Sequence, residues 1–482
     1  MEPLLHRVVH PDDNHKLRRT LPGLESLIAF LVPALTGFLF GYDIGAASTA
    51  TRSLNLEGSP FLDGYLRSAS LCGATLGSAL TLICASALGR RRTIIAGAFC
   101  YLVGTLISCT TLRRAMQVPT CIIGRIVYGL GIGLSMHSAP AYIAESATAS
   151  TRGCFVSMKE AMIVLGMVTG FGFAAIFAGA TDAWRRIWWS IPLPISLCVI
   201  IGMLRLPPSP RWIVDRANRR GDLTSVNDDA RAALVFFRKG ASDDAIEDEL
   251  ADIAAELRTE RVLRKDASMS VKAAVAGFGL VTLQQITGQP SVLYYATDIF
   301  WGVGFVEIAP VASLIVGISK LIATLASASL VDKIGRRPLL LVGIGMMAGS
   351  LLVLVFSFVG VATCGESLHF TKLSGNLTLF ALMMYVCGYQ IGFGPITWLT
   401  LAEGFPLQYR ACALSTGTLL NFSLNLIVTF TFQPWTCWFE HLAPGRGQSN
   451  VFFVYFLLCV FSLWFVYMFV AEARGKRLER IT

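Results

Sequence analysis

The sequence predicts an all-α membrane protein with twelve transmembrane helices arranged as two pseudo-symmetric six-helix bundles. Three observations carry this. Of the 482 residues, 54% are apolar and only 15% charged, with a mean hydropathy of +0.60; a soluble domain carries about 25% charged residues. Mostly apolar stretches of about 20 residues, long enough to span a bilayer core, recur twelve times. Finally, charged motifs repeat at half-chain spacing: Gly89-Arg90-Arg91 returns as Gly335-Arg336-Arg337, and Glu145 with Arg152 returns as Glu403 with Arg410. This composition excludes a disordered chain and speaks against a water-soluble enzyme.

The spans follow in order. Span 1 starts near Glu25 and contains Asp43. Span 2 starts near Arg67 and stops at the basic turn Gly89-Arg90-Arg91-Arg92. Span 3 starts near Thr93, and span 4 near Thr120, with Arg125 inside it. Span 5 runs from Gly153 through Lys159 and Glu160, and span 6 from Ile187 to about Leu206. Span 7 starts near Lys272 with Gln284 and Gln285 at its middle, and span 8 near Glu307 with Lys320 at its centre. Spans 9 to 12 start near Pro338, Asn376, Ala411 and Asn450. The domain plan is a tail over 1–23, a bundle over 24–206, a linker over 207–270, a second bundle over 271–472 and a tail over 473–482.

The linker gathers 24 of the chain's 71 charged residues into 64 positions. Within it, Ile246, Leu250, Ile253 and Leu257 keep helical spacing across Asp243 to Glu260, so short amphipathic helices are expected there. A plain solvated linker is the alternative. The linker shares one side with Arg90 to Arg92, Arg152, Arg336, Arg337 and Arg410. An excess of Lys and Arg marks cytoplasmic loops, so this side and both termini are expected to be cytoplasmic. Arg113-Arg114 and Arg185-Arg186 fall on the other side as mild exceptions. The net charge of +9 has the same cause, and nucleic acid is not an expected partner. The 6 His and 12 Cys have no metal-ligand spacing, and most Cys read as small apolar packing residues. The polar first 23 residues, with Asp12 and Asp13, predict no cleavable signal peptide.

Two repeated halves with a site between them make a transporter plan. The residues carry a closer likeness. Gly41-Tyr42-Asp43, Gly89-Arg90-Arg91, Pro140 with Tyr142, Glu145, Arg152 and Gly153, then Ser209-Pro210-Arg211, Gln284-Gln285, Asp332 with Gly335-Arg336-Arg337, and Gly394-Pro395 with Trp398 stand in the order of the sugar porter family of the major facilitator superfamily. The chain resembles that family along nearly its whole length. Within it, the run Gln284 to Tyr295, with Lys159-Glu160 and Tyr389-Gln390, resembles the plant and algal sugar–proton symporter-like branch. That branch is associated with xylose-like or glucose-like substrates and with plastid or vacuolar membranes. Four positions depart from the family pattern: Ser86 stands for Asp, Pro208 for Glu, Ala411 for Gly, and Ala471 for the terminal Pro.

The resemblance implies a monosaccharide carrier working by alternating access, with the proton as coupling ion and no other cofactor. It is expected to act as a monomer in a lipid bilayer. A sugar site needs amides to replace the hydroxyls' water and an aromatic face for the ring. Gln284 and Gln285 lie at the right depth, and the resemblance adds Asn421 and Trp398. The alternative for each amide is a helix–helix hydrogen bond, and for Trp398 plain packing. Glu160 and Lys320 are intramembrane charges that neither half should leave alone. They are expected to pair across the halves and to contact sugar, with a purely structural pair as the alternative. Helix counting puts Asp43 and Arg125 both about 10 Å toward the outer face at 1.5 Å per residue, so an acid and a base share one depth. The resemblance assigns them proton coupling; a static ion pair is the alternative. It also assigns Arg91, Glu145, Arg152, Arg336, Arg337, Glu403 and Arg410 to ion pairs of a cytoplasmic gate. Rival readings are a proton-independent facilitator, which Asp43 opposes, and a transport-inactive sensor. Sensors of this fold often add long cytoplasmic tails; here about a dozen residues follow the last span. No nucleophile–base or metal constellation supports an enzyme.

Overall fold

The computed structural model describes residues 24–50, 59–109, 117–148, 151–177, 190–220, 224–263, 271–305, 307–361, 372–405 and 407–470. They form eighteen helices and, among the described residues, no strand. The first half has α1 (Leu24–Ala50), α2 (Pro60–Leu88), α3 (Arg90–Cys109), α4 (Gln117–Ser146), α5 (Arg152–Ile176) and α6 (Pro192–Arg205). Three short helices follow: α7 (Pro210–Arg220), α8 (Thr224–Phe237) and α9 (Asp243–Leu263). The second half has α10 (Val271–Ile286), α11 (Gln289–Tyr294), α12 (Ala296–Gly302), α13 (Ala309–Ile334), α14 (Arg336–Ser357), α15 (Lys372–Ile391), α16 (Phe393–Gly404), α17 (Leu407–Leu442) and α18 (Gly447–Phe469). Among the described residues, ten stretches are long and apolar enough to cross a membrane, and α6 meets α7 at a bend of 57°. The seventh expected span is the broken series α10 to α12, and the tenth is α15 with α16.

Glycines set the helix pairs. A Cβ on Gly41 of α1 would lie 1.7 Å from the Ile163 carbonyl of α5, and one on Gly166 of α5 would lie 2.1 Å from the Phe38 carbonyl. Gly73 of α2 and Gly129 of α4 approach each other's helices as closely, at 2.0 Å each. Membrane helices gain their association from such backbone contact, since burying apolar surface from lipid supplies little. The consequence is that α4 lies close enough to α2 for an α4 side chain to reach α2 carbonyls. Across the halves, α2 packs on α17 and α5 on α13.

The seventh span breaks at Gly288, whose φ of +96° suits glycine and whose missing side chain makes room for the Tyr455 ring. Pro290 then starts α11. Carbonyls freed by such a break must find partners inside the protein. Tyr385 donates its hydroxyl to the Thr287 carbonyl at 3.0 Å.

The second span starts at Pro60 and not near Arg67. Reading along the sequence, Arg67 looked like a boundary charge. In the fold it is 2% exposed and compensated, so the helix continues past it. In the linker, Ile246, Leu250 and Leu257 of α9 bury against Ile213 and Val214 of α7 and Leu234 of α8. Among the described residues, ten cysteines are free thiols, whereas Cys437, toward the end of α17 farther from the linker, is disulfide-bonded.

Candidate functional site

Asp43 and Arg125 are brought together. Arg125 Nη1 lies 2.9 Å from Asp43 Oδ1. Its Nη2 donates to Asp43 Oδ2 at 3.3 Å and to Ser70 Oγ at 3.0 Å. Ser70 donates in turn to Asp43 Oδ2 at 2.6 Å. The guanidinium also donates to the Leu66 carbonyl (3.0 Å) and the Arg67 carbonyl (3.2 Å), which the close α2–α4 contact puts within reach. The two side chains are 3% and 1% exposed. Burying both charges is expensive unless they are paired and hydrogen-bonded, and here partners from three helices of one half surround them. Tyr294, on α11 of the other half, places its hydroxyl within electrostatic reach of Asp43.

A second cluster joins amides of the second half. Asn421 donates to Gln284 Oε1 at 3.4 Å, and Gln284 donates to the Phe393 carbonyl at 3.3 Å. That carbonyl lies just beyond the break between α15 and α16, at Gly392. Gln285 is buried with no partner for its Oε1, and Gln390 with none for either amide atom. Buried polar groups are nearly always satisfied, so such atoms point to an unseen water or ligand. Gln390 was not among the expected site residues. Its signal was its position two residues before the Gly392 break, next to Tyr389. Trp398 is half-buried against Leu401 and Phe405. Asn425 accepts from Thr429 of its own helix at 3.3 Å.

Glu160 and Lys320 do not form the expected direct pair: no ion pair joins them within 4.0 Å among the described residues. They belong to α5 and α13, which pack across the halves, and Lys320 feels the Glu160 charge from beyond contact. What Lys320 touches is the Tyr389 ring, 5.5 Å from its Nζ. The pairing was expected because each charge needs a partner, but cross-half distances depend on how the halves are tilted.

A third charge cluster was missed altogether. Arg67 Nη2 lies 2.5 Å from Asp298 of α12, and its Nε 3.0 Å from Asp63. Its Nη1 donates to the Tyr294 carbonyl at 2.9 Å, and the guanidinium stacks 4.4 Å from the Tyr295 ring centre. Ser48 and Thr297 share a hydrogen bond at 3.1 Å beside it. These contacts tie the two halves together at the ends away from the linker. On the linker side, Ser415 of α17 bonds His137 of α4 at 3.3 Å.

The linker-side charges differ from expectation in detail. Glu145 pairs with Arg90 at 3.2 Å and accepts from Ser209; Arg90 was not among the expected gate residues. Successive helix residues point 100° apart, so Arg91 turns instead to the end of α6, donating to the Met203 (2.8 Å) and Leu204 (2.7 Å) carbonyls. Arg152 is exposed and has no ion pair among the described residues. Arg337 donates to the Tyr467 carbonyl at 2.7 Å. Arg336 and Arg410 start α14 and the first turn of α17, at the equivalent places of the second half. The Glu403 side chain, and Asp332 with it, lie outside the described residues. Arg238, just past the end of α8 and not singled out in the sequence, grips Glu249 at 2.7 Å and the Ser146 carbonyl at 2.8 Å, clasping the linker to α4.

The profile of the family described as "Sugar (and other) transporter" matches residues 29–482. D-xylose-proton symporter-like 2 of Arabidopsis thaliana is 37% identical, covering 100% of this chain and 93% of that protein. D-xylose-proton symporter-like 3, chloroplastic, of the same plant is 39% identical over 94% of this chain and 81% of its own length. Among solved structures, the partially occluded inward-open xylose transporter XylE from E. coli superimposes with a TM-score of 0.77 at 26% identity, covering 94% of this chain and 99% of that one.

Proposed function

The chain belongs to the sugar (and other) transporter family, and from that premise we propose that it moves a hexose or pentose across a membrane by alternating access, in symport with protons. Its family works by transport, and it is not an enzyme. The observation that carries the proton coupling is the Asp43–Arg125–Ser70 cluster, buried in one half beside Tyr294 of the other. The relatives named as proton symporters support the same reading.

Asp43 is the proton site in this account. Protonation cancels the negative partner of Arg125, whose guanidinium keeps its α2 carbonyls and Ser70. The field at Tyr294 then changes. Tyr294 belongs to the broken seventh span, whose first segment ends two residues beyond Gln284, so a proton at Asp43 biases the segment that carries the sugar amides. A ligand shifts a two-state equilibrium by its differential affinity for the two states. Gln284, Gln285, Asn421 and Gln390 bind the sugar hydroxyls. Trp398 packs on the ring, and Lys320 and Glu160 line the same cavity.

The arrangement suits a state open toward the linker, with the far ends sealed by Arg67. Glu145, Arg90 and Arg91, with Arg152 nearby, and their counterparts Arg336, Arg337, Glu403 and Arg410, make up the inner gate. The linker side is cytoplasmic, and so are both termini, by the excess of Lys and Arg. The disulfide-bonded Cys437 on the opposite side supports this, since disulfides persist in oxidising compartments. The protein acts as a monomer with the proton as coupling ion and no other cofactor.

Proteoliposome uptake of labelled glucose, with xylose and inositol as competitors at two external pH values, tests the reading. Faster, concentrative uptake at the lower pH and competition by at least one of the two sugars are expected. Uptake indifferent to an imposed pH gradient would overturn the symport, and no uptake of labelled glucose, or of labelled xylose or inositol in its place, would overturn the sugar site.

A further inference from the structure

On the linker side, a cavity of about 680 Å³ opens between the turn after α2, the end of α6 and the helices α7 and α8. It is lined by the first half and the linker, with none of the amides assigned to the sugar. Five arginines line it, Arg90, Arg91, Arg92, Arg205 and Arg216, against a single acid, Asp229. Arg90 is held by Glu145 and Arg91 by the α6 carbonyls. Among the described residues, Arg92, Arg205 and Arg216 have no ion pair, and Arg216 leans on the Trp212 ring at 5.1 Å.

The sequence explains the imbalance. In the second half, Asp332 stands three residues before Gly335-Arg336-Arg337. In the first half, the same place before Gly89-Arg90-Arg91 is Ser86. The turn after α6 that lines the cavity is Pro207-Pro208, with no acid. The first turn of α3 adds the positive end of a helix of 20 residues, which favours an anion. Because Arg91 covers the last carbonyls of α6, the negative end of that helix is masked.

We propose that this cavity binds the phosphorylated headgroup of an anionic phospholipid of the polyphosphoinositide class, drawn from the linker-side leaflet. Arginine forks match phosphate oxygens geometrically, and several unpaired arginines call for more than one phosphate. The lipid source follows from the cavity's rim. Leu204, which lines it, is 57% exposed, and Leu197 and Ile201 on α6, with Phe99 on the neighbouring α3, are 49%, 42% and 59% exposed. These side chains form an apolar face running from the rim into the bilayer, along which acyl chains lie. Basic pockets at this depth next to spanning helices are favourable headgroup sites.

The test uses the full chain in nanodiscs. Binding is measured for fluorescent phosphatidylinositol bisphosphate, for phosphatidylserine at the same surface charge density, and for soluble inositol trisphosphate. Saturable binding of the bisphosphorylated lipid, with phosphatidylserine much weaker and the soluble headgroup weaker still, is expected. The double variant Arg205→Gln, Arg216→Gln should weaken lipid binding roughly tenfold or more while leaving sugar uptake in the absence of that lipid unchanged, which also shows that it folds. Equal binding of the soluble headgroup would overturn the lipid source. Equal binding of phosphatidylserine, or lipid binding insensitive to the double variant, would overturn the site.

Discussion

Two acid–base couples lie inside the membrane core, and they are built differently. Asp43 and Arg125 belong to one half and are closed at 2.9 Å, with Ser70 and two backbone carbonyls completing the cage. Glu160 and Lys320 belong to opposite halves and are open, Lys320 resting near the Tyr389 ring. A couple within one half keeps its geometry when the halves rock. A couple across the halves is made or broken by that motion. Arg67 with Asp298 is the cross-half counterpart on the far side, and there it is closed. Such cross-half contacts are what alternating access makes and breaks; on the linker side the halves meet through Ser415 and His137.

Replacing one member of each couple sharpens the contrast. The largest effect is expected for Asp43→Ala, which leaves Arg125 buried without its counter-charge. Breaking a buried pair this way costs about 3–5 kcal/mol, to be read as a lower melting temperature in detergent. Arg67→Gln leaves Asp63 and Asp298, both 20% or more exposed, so the loss is smaller, about 1–3 kcal/mol, and it falls on one conformation. Cysteine accessibility from the far side should rise in this variant. An unchanged labelling pattern would mean that Arg67 does not hold the far side shut.

Lys320→Asn goes the other way. A lone lysine at the bilayer centre costs about 2.5–3.5 kcal/mol on insertion scales, so removing it should raise expression or thermal stability. If Lys320 also binds sugar, affinity falls with it. A variant less stable than the wild type would show that Glu160 compensates Lys320 more fully than the open geometry indicates. Gln285→Ala gives the smallest stability change. Its Oε1 has no protein partner, so sugar binding should weaken by about 1 kcal/mol or a few-fold while the melting temperature stays nearly constant.

The sequence made the within-half couple readable and the cross-half ones not. Depth along a helix follows from residue counting, so Asp43 and Arg125 could be aligned from two independent helices. Rotation about the axis is harder, since one residue is 100°; that is why Arg90 and not Arg91 reaches Glu145. Arg67 was hidden because a charge at the start of an apolar run looks like the edge of a span, and the Tyr294 carbonyl it meets is at the end of α11, next to the break at Tyr295. The Glu160–Lys320 distance depends on the tilt of the halves, which no local pattern encodes. The twelve-span plan was legible because composition and repeat spacing survive every such detail. The broken seventh span was marked only by Gly288 and Pro290.

The central claim is that Asp43 carries the coupling proton. The most direct measurement compares wild type and Asp43→Asn in proteoliposomes for two activities, sugar accumulation driven by a pH gradient and sugar exchange at equal pH. The variant is expected to keep exchange, since the amide preserves the shape of the site, while its accumulation ratio falls to about 1 because no proton biases the two states. An Asp43→Asn protein that still concentrates sugar in response to the pH gradient would contradict it.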